Sequence, residues 1–329
     1  MDKVLQAFAL QASPGTLPAQ IKEATTWLEH FQSTTEAWQV ADQLLQQPAD
    51  GSSQVITPVH IFAAQTMRAK IVYDWAELPA EAHASLRQSL LDSILRFGQG
   101  PQPVLTQLCL AVGVLALHME DWHATVVNDL ITALTQPADQ AANKLPCLLE
   151  LLQVLPEEAE NYKVGVLPRR RSNFRQMLDN SSPSVFVLLG QVCDTFKTQA
   201  PTPSSLGILD KMLRCTASWM RHHPPPEEEL ASLPLLNFSF DALNNVDLFD
   251  AAAELCVDII QHTTDLDKYE HVVPLVIGRV LQLMPHYETA VAAEEEDAAR
   301  AFCRIFAEAG EQYLRALLSR PQEWSLPIA

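Results

Sequence analysis

Glycine is scarce in this chain, with 10 residues in 329 against 22 prolines. Loops that cradle phosphates and doubly wound sheets depend on glycine where the backbone turns sharply or meets a ligand. Their signatures are missing as well: the chain contains no G-x-x-x-x-G-K-S/T, no G-x-G-x-x-G and no G-x-S-x-G. Long apolar runs are absent, since hydrophobic stretches last about a dozen residues before a charge intervenes. A bilayer-spanning helix needs about 20, so membrane insertion is not expected. Basic side chains are few, 22 against 40 acidic ones, for a formal charge of −18. Direct nucleic-acid binding requires a basic surface, so it is not expected either; a basic protein partner suits this charge better. The six cysteines (Cys109, Cys147, Cys193, Cys215, Cys256 and Cys303) have neither metal-ligand nor redox spacing. They read as small buried side chains in a reducing compartment, the cytosol or nucleus.

What is present is helix. Apolar residues recur at threes and fours almost throughout, with little strand signal. The chain is organised around Pro58–Pro79, PVHIFAAQTMRAKIVYDWAELP. Ile61, Phe62, Ala64, Met67, Ile71 and Trp75 line one side of a helix there, while Gln65, Arg68 and Lys70 lie off the stripe. Around it the periodicity predicts helices over Asp2–Ala12, which reads as a first helix rather than a signal peptide, and then Ala19–Gln32, Thr35–Gln47, Ala80–Phe97 and Pro103–His118. Further helices follow over Trp122–Leu134, Ala141–Leu155, Ser184–Thr198, Leu206–Met220, Ser239–Asn245, Leu248–His262, Tyr269–Met284 and a long Tyr287–Leu318. PADGSSQ reads as a flexible connector, Asn161–Arg171 as a loop entering a helix, and HHPPPEEE as a hard break. About seven pairs of about 45 residues have the period of HEAT or armadillo units. The expected fold is therefore all-α, a right-handed α-α superhelix forming one solenoid over 1–329.

Few side-chain groupings suggest chemistry. HMEDWH collects His118, Glu120, Asp121 and His123, but it joins two helices and matches no zinc motif, so a polar turn is preferred. No metal site, cofactor or catalytic residue is expected, and no enzyme, because no nucleophile has a base at a recognisable spacing. The tryptophans, Trp324 excepted, read as inter-helix packing. The acid run Glu294, Glu295, Glu296 and Asp297 reads alone as a solvated helix start. Arg169, Arg170, Arg171 and Arg175 form the one basic cluster, a candidate for an acidic partner.

Several blocks, taken in order, resemble the N-terminal part of a karyopherin-β (importin-β superfamily) receptor of the transportin-SR and importin 13 branch. They are AWQVADQLL at Ala37–Leu45, FAAQTMRAKI at Phe62–Ile71, LPAEAHASLRQSLL at Leu78–Leu91 and VLTQLCLAV at Val104–Val112, followed by LPCLLELLQVLPEE at Leu145–Glu158 and FCRIFAEAGEQYL at Phe302–Leu314. The resemblance implies a nuclear import receptor of HEAT repeats that shuttles between cytoplasm and nucleus. Its implied partners are Ran-GTP, nucleoporins and basic Arg/Ser-rich protein cargo. By the same resemblance, Ran-binding repeats occupy 1–100 and further exportin/importin-type repeats 101–329, and the chain is shortened relative to a full receptor. Gln65, Arg68 and Lys70 become candidate Ran contacts, as do Glu294, Glu295, Glu296 and Asp297. The alternative is a HEAT scaffold of a multiprotein complex without Ran regulation.

Overall fold

The computed structural model describes residues 1–47, 56–136, 138–232 and 234–319. Among them every regular element is helical. In chain order these are α1 (Asp2–Ala12), α2 (Pro18–Gln32), α3 (Glu36–Leu45), α4 (Ile56–Tyr73), α5 (Ala80–Phe97), α6 (Gln102–His118), α7 (Val126–Thr135), α8 (Ala138–Ala159) and α9 (Pro168–Phe196). Then come α10 (Pro203–His222), α11 (Glu227–Ser232), α12 (Leu235–Asp241), α13 (Phe249–His262), α14 (Val272–Leu281), α15 (Met284–Ala292), α16 (Glu296–Gln312) and α17 (Leu314–Ser319). Single 3-10 turns stand at Trp75–Glu77 and Ala242–Asn244. The expected PADGSSQ connector and Trp324 lie outside the described residues.

The chain divides into two compact units, Met1–Met177 and Leu178–Ala329. In the first, α1 pairs with α2, α3 with α4, α5 with α6 and α7 with α8. The second members of these pairs also pack in succession, α2 on α4, α4 on α6 and α6 on α8. That succession explains α6, whose residues from Val104 to Leu117 are mostly buried. A helix that is apolar all round must be covered all round. In the second unit α13 packs between α10 and α16, and α12, α14 and α15 complete the layer.

Local chemistry fixes several ends. Thr202 caps α10, accepting from the Ser205 backbone N–H while the Ser205 hydroxyl returns the bond, and Pro203 occupies the first turn, where a missing N–H costs little. Other ends depart from expectation. α8 continues through Pro156, and α9 begins at Pro168 and continues through Pro183 rather than starting near Ser184. The central helix stops at Tyr73, leaving Trp75 in a 3-10 turn. The long C-terminal helix is instead three, broken at Glu294, whose φ is +59°, and at Tyr313.

Two expectations about burial are also revised. Five cysteines are buried, but Cys303 is exposed, because α16 buries Phe302, Ile305 and Ala309 and Cys303 falls beside that stripe. Trp122 and Trp219 are core residues, whereas Trp27, Trp38 and Trp75 are half-buried.

Candidate protein-binding surface

Neighbours cover α4 on most sides, and what stays open is a narrow strip. Gln65 and Tyr73 are exposed, and Arg68, Ala69 and Val72 are half-buried. Spacings of three and four residues place all five on one face. Gln107 from α6 and Asn161 and Lys163 from the segment after α8 complete a groove of about 390 Å³ within the first unit. Two basic side chains and three amides line it and no carboxylate does, in a chain with 40 acidic residues.

Lys70 is not part of this surface, which corrects its expected outward placement. Its ammonium is fully buried, 2.8 Å from both the Asp74 and Glu77 carboxylates, and lies 5.6 Å from the centre of the Trp38 ring. Burial alone would lower its pKa, but the bonds to Asp74 and Glu77 carry it above the ordinary lysine value. A buried, doubly paired ammonium is a structural tie between α3, α4 and the 3-10 turn, so a partner at the surface cannot reach it.

Glu158, which lies beyond the helix end expected at Leu155, anchors the groove. It is 3% exposed. One carboxylate oxygen accepts from Arg68 Nη2 at 2.8 Å, and the other accepts from Asn161 Nδ2 at 2.7 Å. One buried carboxylate thereby fixes a residue on each wall. The signal that announced it is Gly113, a glycine inside an apolar helix: a Cβ there would sit 3.2 Å from Glu158 Cγ.

The basic cluster is less free than expected. The Arg171 guanidinium is buried and donates to the backbone carbonyls of Ala159, Asn161 and Val164, which removes it as a contact for an acidic partner. Arg170 donates to Glu120 and to the His118 carbonyl, and Arg175 to Glu160 and the Tyr162 hydroxyl. Of the four, Arg169 remains exposed. The His118 imidazole stacks on Trp75 at 5.0 Å; burial, with Arg170 and His83 nearby, lowers its pKa to about 4. Among the described residues no group of His, Cys, Asp or Glu is arranged to hold a metal ion. The acid run stands exposed at the start of α16, where carboxylates favour the helix dipole.

Two family models match in tandem. Residues 24–96 match the Importin-beta N-terminal domain and residues 101–256 match the Exportin 1-like protein family. The homologues of this chain are karyopherin-β receptors. Transportin MOS14 of Arabidopsis thaliana is 32% identical over 308 residues, covering 91% of this chain and 30% of that protein. Importin-13 of Homo sapiens is 32% identical over 311 residues, covering 93% and 30%. An uncharacterized protein of Schizosaccharomyces pombe is 32% identical over 331 residues, covering 100% and 33%. The chain thus spans about a third of the curated relatives' length. A solved importin-13 structure in its cytosolic state superposes with a TM-score of 0.62 at 18% identity, covering 80% of this chain and 28% of that one. That likeness places the chain in the helical-solenoid fold class. The α4 strip lies inside the segment matched as the importin-β N-terminal domain.

Proposed function

We propose that this chain is the N-terminal portion of a nuclear import receptor that binds Ran-GTP and carries basic, Arg/Ser-rich protein cargo through the nuclear pore. In this reading it shuttles between cytoplasm and nucleus, meets nucleoporins on the way and catalyses nothing. Residues 1–100 carry the Ran-binding repeats and 101–329 further exportin/importin-type repeats. Gln65 and Arg68 meet Ran across the α4 groove, and Glu294–Asp297 offer carboxylates to basic side chains of the same partner. Arg169 is left as the contact for an acidic partner.

The observation that carries the reading is the importin-β N-terminal match over 24–96, which contains the one strip that α4 leaves open. Linkage supplies the mechanism. If Ran-GTP and cargo prefer different arrangements of the repeats, each weakens the other by the same factor.

A pull-down of Ran loaded with GTP or GDP tests it. GTP-selective retention is expected, and Gln65→Trp, which fills the groove from an exposed position, should weaken it by at least about tenfold. Retention that ignores the nucleotide, or no retention, would support the scaffold alternative without Ran regulation.

A further inference from the structure

Serine or threonine stands directly before proline at four places: Ser13 before Pro14, Thr57 before Pro58, Ser182 before Pro183 and Thr202 before Pro203. Proline-directed kinases read this dipeptide, and they need an open hydroxyl on extended backbone. The fold withholds three of the four. Thr57 is half-buried in the first turn of α4. Ser182 is buried inside α9, with its hydroxyl on the His223 carbonyl. The Thr202 hydroxyl is taken up in capping α10, where it accepts from the Ser205 N–H at 3.1 Å. Ser13 is exposed, and its hydroxyl has no hydrogen-bond partner among the described residues.

The turn around Ser13 presents it. Ser13 ends α1 with φ −78° and ψ 120°, the extended backbone that a following proline favours. Pro14 and Gly15 fill the two corners of a type II turn. Gly15 takes φ +104°, a region open to glycine, and the Thr16 N–H closes the turn on the Ser13 carbonyl at 3.3 Å. The Thr16 hydroxyl donates to the same carbonyl at 3.1 Å. The turn is thus held by the Ser13 main chain, and the side chain stays outside it. A kinase cleft must also straighten residues 10–12, the last turn of α1. No basic side chain supports the carbonyls of that turn, and Leu10 is 40% exposed, so it opens readily. Beyond the turn, α2 starts without an anion: its N-cap residue is Leu17, which has no acceptor, and its first turn holds no acidic residue.

We propose that Ser13 is a phosphorylation site for a proline-directed serine/threonine kinase, and that its phosphate strengthens the start of α2 while loosening the end of α1. In the transfer, Ser13 Oγ bonds to the γ-phosphorus of ATP and the bond to the β–γ bridging oxygen breaks. ADP leaves, and the hydroxyl proton passes to the catalytic carboxylate of the kinase. The product carries about −1.5 to −2 charges at neutral pH. On one side it faces the positive end of the α2 dipole, where no carboxylate competes. On the other it adds to the negative end of α1, where no lysine or arginine compensates. One group therefore acts on two helix ends with opposite sign. This modification stands apart from the Ran-GTP reading and does not depend on it.

A cyclin-dependent kinase with its cyclin, supplied with ATP, tests this on the full chain, read by phosphopeptide mass spectrometry. One phosphate is expected, on Ser13, with incorporation at least about tenfold slower in Ser13→Ala and in Pro14→Ala. Thr202→Ala should incorporate at the original rate. Hydrogen exchange then compares the phosphorylated and unmodified chains. Amides in the first turn of α2 should exchange about two- to fivefold more slowly, and those in the last turn of α1 faster by a similar factor. No phosphate on Ser13, or unslowed transfer to Pro14→Ala, overturns the assignment, as does loss of incorporation in Thr202→Ala. Exchange that is unchanged at both helix ends, or shifted in the same direction at both, overturns the consequence drawn from the dipoles.

Discussion

Single side chains in the first unit work by sharing partners, and Glu158 is the clearest case. It is held by two hydrogen bonds and therefore has little room to move when crowded. Gly113→Ala gains up to about 1 kcal/mol of helix propensity. It also presses a methyl against Glu158 Cγ, and crowding of this kind costs about 1–3 kcal/mol. A net loss of about 1 kcal/mol is expected by urea denaturation, disappearing in the Glu158→Ala background, where the crowding is gone. His118 gives a pH signature. Its folded pKa of about 4 lies below the ordinary 6.5, so its stabilising contribution is complete above pH 6.5 and lost as pH falls toward 4. Between pH 7 and 5 the loss is about 2 kcal/mol. Burial lowers the pKa of His60 and His262 too, which act in the same direction. Urea midpoints measured across that range should fall with pH, and the slope should be shallower in His118→Asn.

At the scale of elements, the left-handed turn before α16 makes its own prediction. Glycine visits that region freely, whereas other residues pay about 1–2 kcal/mol there. Glycine also adds about 0.5–1 kcal/mol of unfolded-state entropy, so Glu294→Gly should stabilise by up to about 1 kcal/mol in a denaturant titration. Helices such as α1, α2, α5 and α13 were legible to within a residue or two, because their apolar stripes and flanking turn residues agree. The boundaries at Pro156 and Pro183 were not. Proline removes one helical bond, and tertiary packing outweighs that loss: Leu155 and Ala159 are fully buried, and beside Pro183 the Ser182 hydroxyl donates to the His223 carbonyl at 2.7 Å. The open side of α4 was legible at Gln65 and Arg68. Lys70 was misplaced although Asp74, four residues on, announced an ion pair; the Trp38 ring that covers it comes from another helix. Glu158 escaped because Arg68 is 90 residues away in sequence.

For the whole molecule, the arrangement of successive pairs sets how it unfolds. Units that touch mainly their neighbours make stability a sum of local terms, so one all-or-none transition is not required. The buried thiols report this along the chain: Cys109 and Cys147 in the first unit, Cys193, Cys215 and Cys256 in the second. Pulsed thiol labelling against urea, read by mass spectrometry, should give different midpoints for the two sets, whereas coincident midpoints would mean one cooperative block. The exposed Cys303 should label without denaturant. Charge acts at the same scale: with −18 overall, association with any basic partner should weaken as salt rises.

The guanidinium of Arg171 gathers three peptide oxygens that no helix uses, and so fixes the path by which α8 hands over to α9. A lysine in its place would keep the positive charge but not the planar fork that reaches all three oxygens at once, leaving the Asn161 and Val164 oxygens to the backbone N–H groups of Val164 and Val166. At that position, shape is what holds the corner together, and swapping like charge for like should unfasten it almost as fully as removing the side chain.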